Sequence, residues 1–310
     1  MSVVLTGTDL TVFGGAVYAS YMISDLFGTS GMQFYGVKPT EAVNVPVVQA
    51  GDARFFDDGA DHTSVENSSL KGVNVPLFIP IKSSNVVKRS QVDVRPDLSL
   101  LRNLGKQHGR NVGRVKTITL QCILATAASA SSNKIIETSG GSSTPQEVKD
   151  VIKDVAAAMD VAGIPADGRH AMLKSDLWYE LADQEGVMRK DFGGQANVQN
   201  LAGNLDVIRY LNFDIKNCGQ GFGTDWTSTA AGANIIFPAN VAANLTAVFG
   251  LFWHEDAWAL RHQTSLETSA GWVEHLQAWL VLARLHMGAK EVMTEASMAF
   301  REGIYSFTSS

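Results

Sequence analysis

Hydrophobic positions in this chain change period several times, and each change marks an element. From 42 to 94 the period is two. Val43, Val45 and Val47 alternate with polar residues, a polar stretch runs from Gly51 to Ser69, and Val73, Val75, Leu77, Ile79 and Ile81 alternate again. β-Branched residues at period two on both sides of a polar tip predict a long two-stranded hairpin. Pro46, Pro76 and Pro80 restrict both arms to sheet edges, because proline has no N–H to give to a ladder. A ribbon of two strands is marginal in water, so it needs a surface to lie on.

After Arg95-Pro96-Asp97 the period lengthens. Proline in the first turn with an acid beside it starts a helix, and Leu98, Leu101, Val112, Val115 and Ile118 continue it until it fades in Ala125 to Ser132. Gly105, Gly109 and Gly113 fall inside, each at a cost of roughly 1 kcal/mol against alanine. Arg102, Lys106, Arg110 and Arg114 recur every fourth residue and so share one face. Like charges at that spacing repel. The stripe is therefore either a solvated face or one that meets something acidic.

A Ser/Gly-rich stretch from Ser139 to Thr144 reads as a loop or domain crossing. Pro145 to Val161 is a second helix with Val148, Ile152, Val155 and Met159 on one face, and Asp176 to Asp183 suggests a third. Strand-like residues follow at Gly203 to Ile215, Asn234 to Pro238 and Val248 to Leu260, around a Gly/Ser/Thr loop at 217–234. Gly271 to Met287 fits two periods. Trp272, Leu276, Trp279, Ala283 and Met287 lie on one helix face, whereas Leu276, Ala278, Leu280 and Leu282 alternate as a strand. There is no internal repeat.

Residues 1–40 are short of charge and rich in aromatics: Phe13, Tyr18, Tyr21, Phe27, Phe34 and Tyr35, with weak helical spacing from Ala16 to Leu26. Such a segment packs on something, either its own domain or a neighbouring subunit.

Composition narrows the function classes. The 310 residues are 45% hydrophobic and 18% charged, enough for a sizeable core in two compact units or one elaborated domain. A net charge of -6 argues against a protein whose main task is gripping nucleic acid, since that usually takes a basic balance. A shell that encloses DNA without sticking to all of it remains compatible. Cys122 and Cys218 lack any Cys-x-x-Cys spacing and read as reduced, buried thiols. The first basic residue is Lys38, which leaves no basic region for a secretory signal, and no apolar run reaches membrane-spanning length. A cytoplasmic setting is expected, so the sequons at Asn67 and Asn244 carry no glycan.

Chemical motifs are sparse. His254-Glu255 begins like a metalloprotease helix, but Trp258 stands where the second ligand belongs; His254, Asp256 and His262 form at best a loose metal triad. Gly219, Gly221 and Gly223 imitate a nucleotide loop without a helix behind them. No Walker loop, nucleophile elbow or activated cysteine is present. The expectation is no catalytic, metal or cofactor site, with a metal-dependent enzyme around His254 as the weaker alternative.

The order of elements resembles that of the major capsid proteins of tailed phages with the Hong Kong ninety-seven type fold, and most closely those of short-tailed, T-seven-like podoviruses. The residues that carry the resemblance begin with Val12-Phe13-Gly14-Gly15, Val155 through Asp167-Gly168-Arg169-His170, and the Ser175-Asp176 helix start. They continue with Asn204 to Phe213, Phe237-Pro238-Ala239-Asn240, Val248 through His254, and Ala283-Arg284-Leu285-His286-Met287-Gly288 with Glu295-Ala296. The likeness spans nearly the whole chain and is fullest from 145 to 300.

This resemblance implies an α+β capsid fold in five parts: an N-terminal arm at 1–41, an extended β-hairpin loop at 42–94, a spine helix with part of the peripheral domain at 95–140, an axial domain at 141–247, and a return to the peripheral domain at 248–310. It makes 274–287 mainly strand. It implies a structural protein that assembles with itself as hexamers and pentamers into an icosahedral shell. The further implied partners are a scaffolding protein, a portal protein and packaged double-stranded DNA, with no membrane. The place implied is the virion, after assembly in the host bacterial cytoplasm. An encapsulin-like compartment shares the fold and is the nearer alternative.

Inter-subunit contact is expected at Phe13 in the arm, at Phe55, Phe56, Asp57, Asp58 and Asp61 in the hairpin tip, and at Arg102, Lys106, Arg110 and Arg114. The acids of the tip, with Glu66, either meet the basic stripe of a neighbour, or the stripe faces packaged DNA.

Overall fold

The computed structural model describes residues 7–28, 30–35, 43–48, 70–76, 80–88, 98–130, 135–138, 145–183, 207–219, 221–227, 237, 241–274, 278–293 and 296–302. Twelve strands and four α-helices are defined among them, in a mixed α+β arrangement. The hairpin tip from 49 to 69, the loop at Ser139–Thr144, and most of 228–240 lie outside the described residues.

Two sheets and a ribbon organise the chain. The first sheet is β1 (Met32–Tyr35), β10 (Trp258–Val273), β11 (Ala278–Glu291) and β4 (Ile81–Lys88), in that spatial order. Its spine is the long antiparallel pair β10–β11, whose register runs from Trp258↔Glu291 to Val273↔Ala278. The two-period ambiguity in this segment resolves as strand. Val281, Ala283, Leu285 and Met287 are buried while the residues between them are not, which is a period of two.

The second sheet is β5 (Ile135–Thr138), β12 (Ser297–Glu302), β9 (Val248–His254), β6 (Arg169–Lys174), β8 (Phe213–Cys218) and β7 (Val207–Tyr210). All seven residues of β9 are buried, because this strand is central and covered on both faces. Such a strand reads as an unbroken apolar run rather than an alternation. β9 pairs with β6 at Arg169↔His254 through Leu173↔Gly250, so one sheet joins residues on both sides of position 247.

The hairpin appears as β2 (Val43–Val48) paired with β3 (Leu70–Val75), from Val43↔Val75 to Val48↔Leu70. In a two-stranded ribbon both strands are edges, which is why Pro46 is tolerated opposite Gly72. The second arm is shorter than the alternation predicts. It stops at Val75, and Ile81 begins β4, which pairs with β11 in another sheet. Pro76 and Pro80 bracket the break, as residues without an N–H must. Val45 and Val75 are buried with Ala259, so the ribbon lies on the first sheet.

Helix α2 (Leu98–Ala130) holds the two sheets together; it begins where Pro96-Asp97 predicts and packs on β4 and β11 at one end and on β9 and β12 farther along. Helices α3 (Pro145–Val161) and α4 (Ser175–Asp183) fall where the apolar spacing places them. The arm differs from expectation. It forms a full helix, α1 (Gly7–Ser24), whose apolar residues lie all around it and so leave no one-sided pattern to read.

Helix α1 runs beside α2 in the same direction, and the three glycines of α2 explain how closely. A Cβ on Gly105 would lie 2.7 Å from the Phe13 carbonyl oxygen, one on Gly109 2.2 Å from that of Val17, and one on Gly113 2.7 Å from the Ser24 Cβ. Ala16, Ser20 and Ser24 supply the facing small side chains. Among the described residues, no helix is long and apolar enough to cross a membrane.

Candidate functional site

Phe13, expected to reach a neighbouring subunit, is instead spent inside its own chain. It is 1% exposed and its ring meets His108 of α2 edge-on at 5.9 Å. Phe55, Phe56, Asp57, Asp58 and Asp61 lie outside the described residues. Arg102, Lys106, Arg110 and Arg114 are all exposed, in a row about 18 Å long at 1.5 Å rise per residue. Among the described residues, none of the four has a carboxylate within ion-pair distance.

At the Arg110 end this row enters a cavity of about 570 Å³. One wall is α2, with Arg110, Asn111, Arg114 and Thr117. The opposite wall is the start of α4 and the end of β8, with Ser175, Tyr179 and Asn217. Ser24 and Leu26, just at and past the end of α1, close one side. The Ser175 hydroxyl donates to the Asn217 side-chain oxygen at 2.8 Å, which fixes that wall. Tyr179 is 63% exposed, with its ring at the rim. Among the described residues, no carboxylate lines the cavity.

Charge continues behind it. Lys116 Nζ donates to Asp25 Oδ2 at 2.5 Å, with the two side chains 2% and 6% exposed. Lys216 Nζ donates to the Leu26 carbonyl at 2.7 Å; burial first, against the nearby Asp25 and Asp214, holds its pKa below the usual lysine range. The Thr117 hydroxyl donates to the Ser24 carbonyl at 3.2 Å. Burial, reinforced by Asp25, pushes the Tyr21 phenol upward. The join of α1 to α2 is thus a tight polar knot at the edge of the cavity.

The histidines considered as metal ligands go to separate partners. The His254 Nε2 sits 2.7 Å from the Asp167 carbonyl, and its Nδ1 accepts the Asp256 N–H at 3.2 Å. The His262 Nε2–H donates to Gln33 Oε1 at 2.7 Å, and its ring stacks on Tyr35 at 4.8 Å. Among the described residues no group of three metal-ligating side chains occurs. Gly221 and Gly223, both at positive φ, form a turn: the Gly221 carbonyl accepts from the Trp226 indole at 2.9 Å, and the Gly223 N–H donates to the Leu245 carbonyl. Cys122 and Cys218 are buried thiols outside any disulfide, and desolvation pushes the Cys122 thiol up to about 12, which leaves it unreactive.

The packing of His262 has a pH consequence. Burial, and then the charge of Lys116, lower its pKa from 6.5 to about 4, against a weaker opposing pull from Asp25. The folded chain therefore holds this ring neutral where the unfolded chain protonates it. Stability is complete above pH 6.5 and falls as the pH drops toward 4, by roughly 3 kcal/mol for this group at the lower end. Lowered pKa values at His108 and His170, both from burial first, add in the same direction. Urea unfolding of the unassembled chain at pH 7.5 and about pH 4.5 measures this, and His262→Gln should flatten part of the slope.

No family model matches the sequence, and no curated protein matches it. Solved structures do. The chain is similar to a protein of the capsid of cyanophage P-SCSP1u, at 14% identity and a TM-score of 0.66, over 90% of this chain and 88% of that one. It is similar to a chain of the mature capsid of bacteriophage PhiM1, at 11% identity and a TM-score of 0.65, over 90% and 87%. A virus-like particle from Pyrococcus furiosus matches at 9% identity and a TM-score of 0.51, over 93% and 97%. The architecture is that of the phage capsid proteins, the Hong Kong ninety-seven type expected from the resemblance in sequence.

The cavity was not foreseen from the sequence. Its basic half, Arg110-x-x-x-Arg114, was visible as spacing. Tyr179 and Asn217 join it from 65 and more residues away, through the placement of α4 and β8 beside α2.

Proposed function

We propose that this chain is a structural protein that assembles with many copies of itself into a closed phage shell around double-stranded DNA, and that it is not an enzyme. The observation that carries the reading is the match to phage capsid chains over nearly all of both partners' length. Features left incomplete in one copy support it. The β2–β3 ribbon has two open edges. The outer face of α1 leaves Tyr18, Met22 and Ile23 exposed at 57%, 56% and 79%, an apolar surface with no cover in one chain. In a lattice such edges and faces are completed by neighbours.

Within that reading, the hairpin tip with Phe55, Phe56, Asp57, Asp58 and Asp61 crosses to an adjacent copy. Its acids there meet Arg102 and Lys106, the two cations of the row that stand clear of the cavity. Hexamers and pentamers, a scaffolding protein and a portal protein belong to the same proposal, as do the virion as final location and assembly in the bacterial cytoplasm. So does the division into arm, extended loop, spine helix, axial and peripheral parts, with β9 and β12 reassigned to the sheet they share with β6.

Electron microscopy of the purified, expressed chain tests the reading. Closed shells or ring-shaped multimers are expected. A monodisperse monomer across the concentrations used for assembly would overturn it, and shells that enclose a host enzyme in place of nucleic acid would favour the encapsulin-like alternative.

A further inference from the structure

We infer that the cavity between α2 and α4 binds a phosphate-bearing unit of the nucleic acid the shell encloses, with Arg110 and Arg114 on the phosphate and Tyr179 against the base or sugar. The choice of nucleic acid as ligand rests on the shell reading above; the chemistry of the site stands on its own residues.

Three observations converge. Charge comes first. Two exposed guanidiniums enter the cavity and, among the described residues, no carboxylate lines it, while Asp25 is paired with Lys116 and Asp176 with Lys174. Behind Leu26, Lys116 and Lys216 stand with Asp25 and Asp214 nearby, which leaves Arg110 and Arg114 as the cations facing the cavity among the described residues. The cavity is therefore positive in a chain whose total charge is -6. Such local segregation attracts anions.

Size is the second. A carboxylate reaching in from another protein would leave most of 570 Å³ empty, whereas cavities of several hundred Å³ suit ligands of nucleotide size and larger. Guanidiniums also match phosphate as paired donors, and the Asn111 side-chain amide stands beside them on the same wall.

The third is the aromatic at the rim. Tyr179 is largely exposed although the adjacent Trp178 is buried in the core. An exposed ring beside a basic groove is the combination that holds unpaired nucleic acid, the cations tracking the backbone and the ring stacking on a base.

Fluorescence anisotropy of the unassembled full chain with a fluorescein-labelled oligothymidine, titrated from about 50 to 200 mM salt, is the test. Wild type should bind with affinity that falls as salt rises. Arg110→Gln with Arg114→Gln should lower the salt slope by about 0.7, the one single-strand phosphate they share. Tyr179→Ala should weaken binding roughly fivefold or more at an unchanged slope. Lys153→Gln, an exposed cation on α3, should change neither. If Tyr179→Ala has no effect while the arginine pair accounts for everything, the row acts as diffuse charge and the cavity site is wrong. If wild type binds no oligothymidine and the arginine variant instead fails to form shells, the cavity is occupied by a neighbouring copy and the inference is overturned. A chain that binds the oligothymidine but never assembles would refute the shell and leave the cavity's chemistry standing, so the two failures are distinguishable.

Discussion

Gly109→Ala is expected to drive α1 off α2 and to destabilise the chain by about 1–3 kcal/mol or more, although in an isolated helix the same change stabilises by roughly 1 kcal/mol. The sign reverses because the added methyl would stand 2.2 Å from the Val17 carbonyl oxygen, a backbone atom of a packed helix that has no rotamer by which to yield. Gly15→Ala provides the opposite case, on the exposed face of α1. Nothing lies within 4 Å of a Cβ there, so the helical gain of up to about 1 kcal/mol should be kept. Urea midpoints of the two variants against wild type decide the matter; equal shifts in both would mean that α1 does not seat on the glycine ladder.

Lys116→Met carries the second large effect, a loss of about 3–5 kcal/mol. Its ammonium is 2% exposed and holds the 6% exposed carboxylate of Asp25. Removing the lysine strips the buried Asp25 carboxylate of its direct ion-pair partner, and that penalty exceeds whatever the pair contributes when intact. One consequence separates this account from simple loss of packing. Adding Asp25→Asn to Lys116→Met should restore most of the stability. A double variant no better than the single one would place the cost in packing around the lysine stem.

The same interface shows what could be read in the sequence. The start of α2 at Pro96-Asp97, the full length of α3 and the buried run of β9 were all legible, because each is announced by local chemistry: a proline at a helix start, an apolar stripe at helical spacing, an unbroken apolar stretch. The fold followed from their order. The glycine ladder was visible yet carried the wrong meaning. Spaced every fourth residue, Gly105, Gly109 and Gly113 look like a weakness in a helix until a second helix with Ala16, Ser20 and Ser24 is known to lie on them. The arm gave no one-sided stripe, since α1 packs inward with Phe13, Val17 and Tyr21 and shows an apolar face outward as well. The alternation from Val73 to Ile81 concealed a change of sheet, because strand period carries no label of the partner strand. Of the binding surface, only the cationic row was accessible. The groups that turn it into a cavity are brought by long-range packing, which no local pattern encodes.

The order of strands also sets a clock on synthesis. Met32 of β1 pairs with Ala259 of β10, β4 waits for β11, and Ile135 of β5 waits for Ala299 of β12. Neither sheet can close until residues near 300 have left the ribosome, and closing such distant pairs is intrinsically slow. A half-made chain therefore has no completed sheet on which its hairpin, or a neighbour's, can settle. On the shell reading proposed above, copies become competent to join one another only as finished units, so that every subunit entering a growing lattice arrives with its contact surfaces already formed.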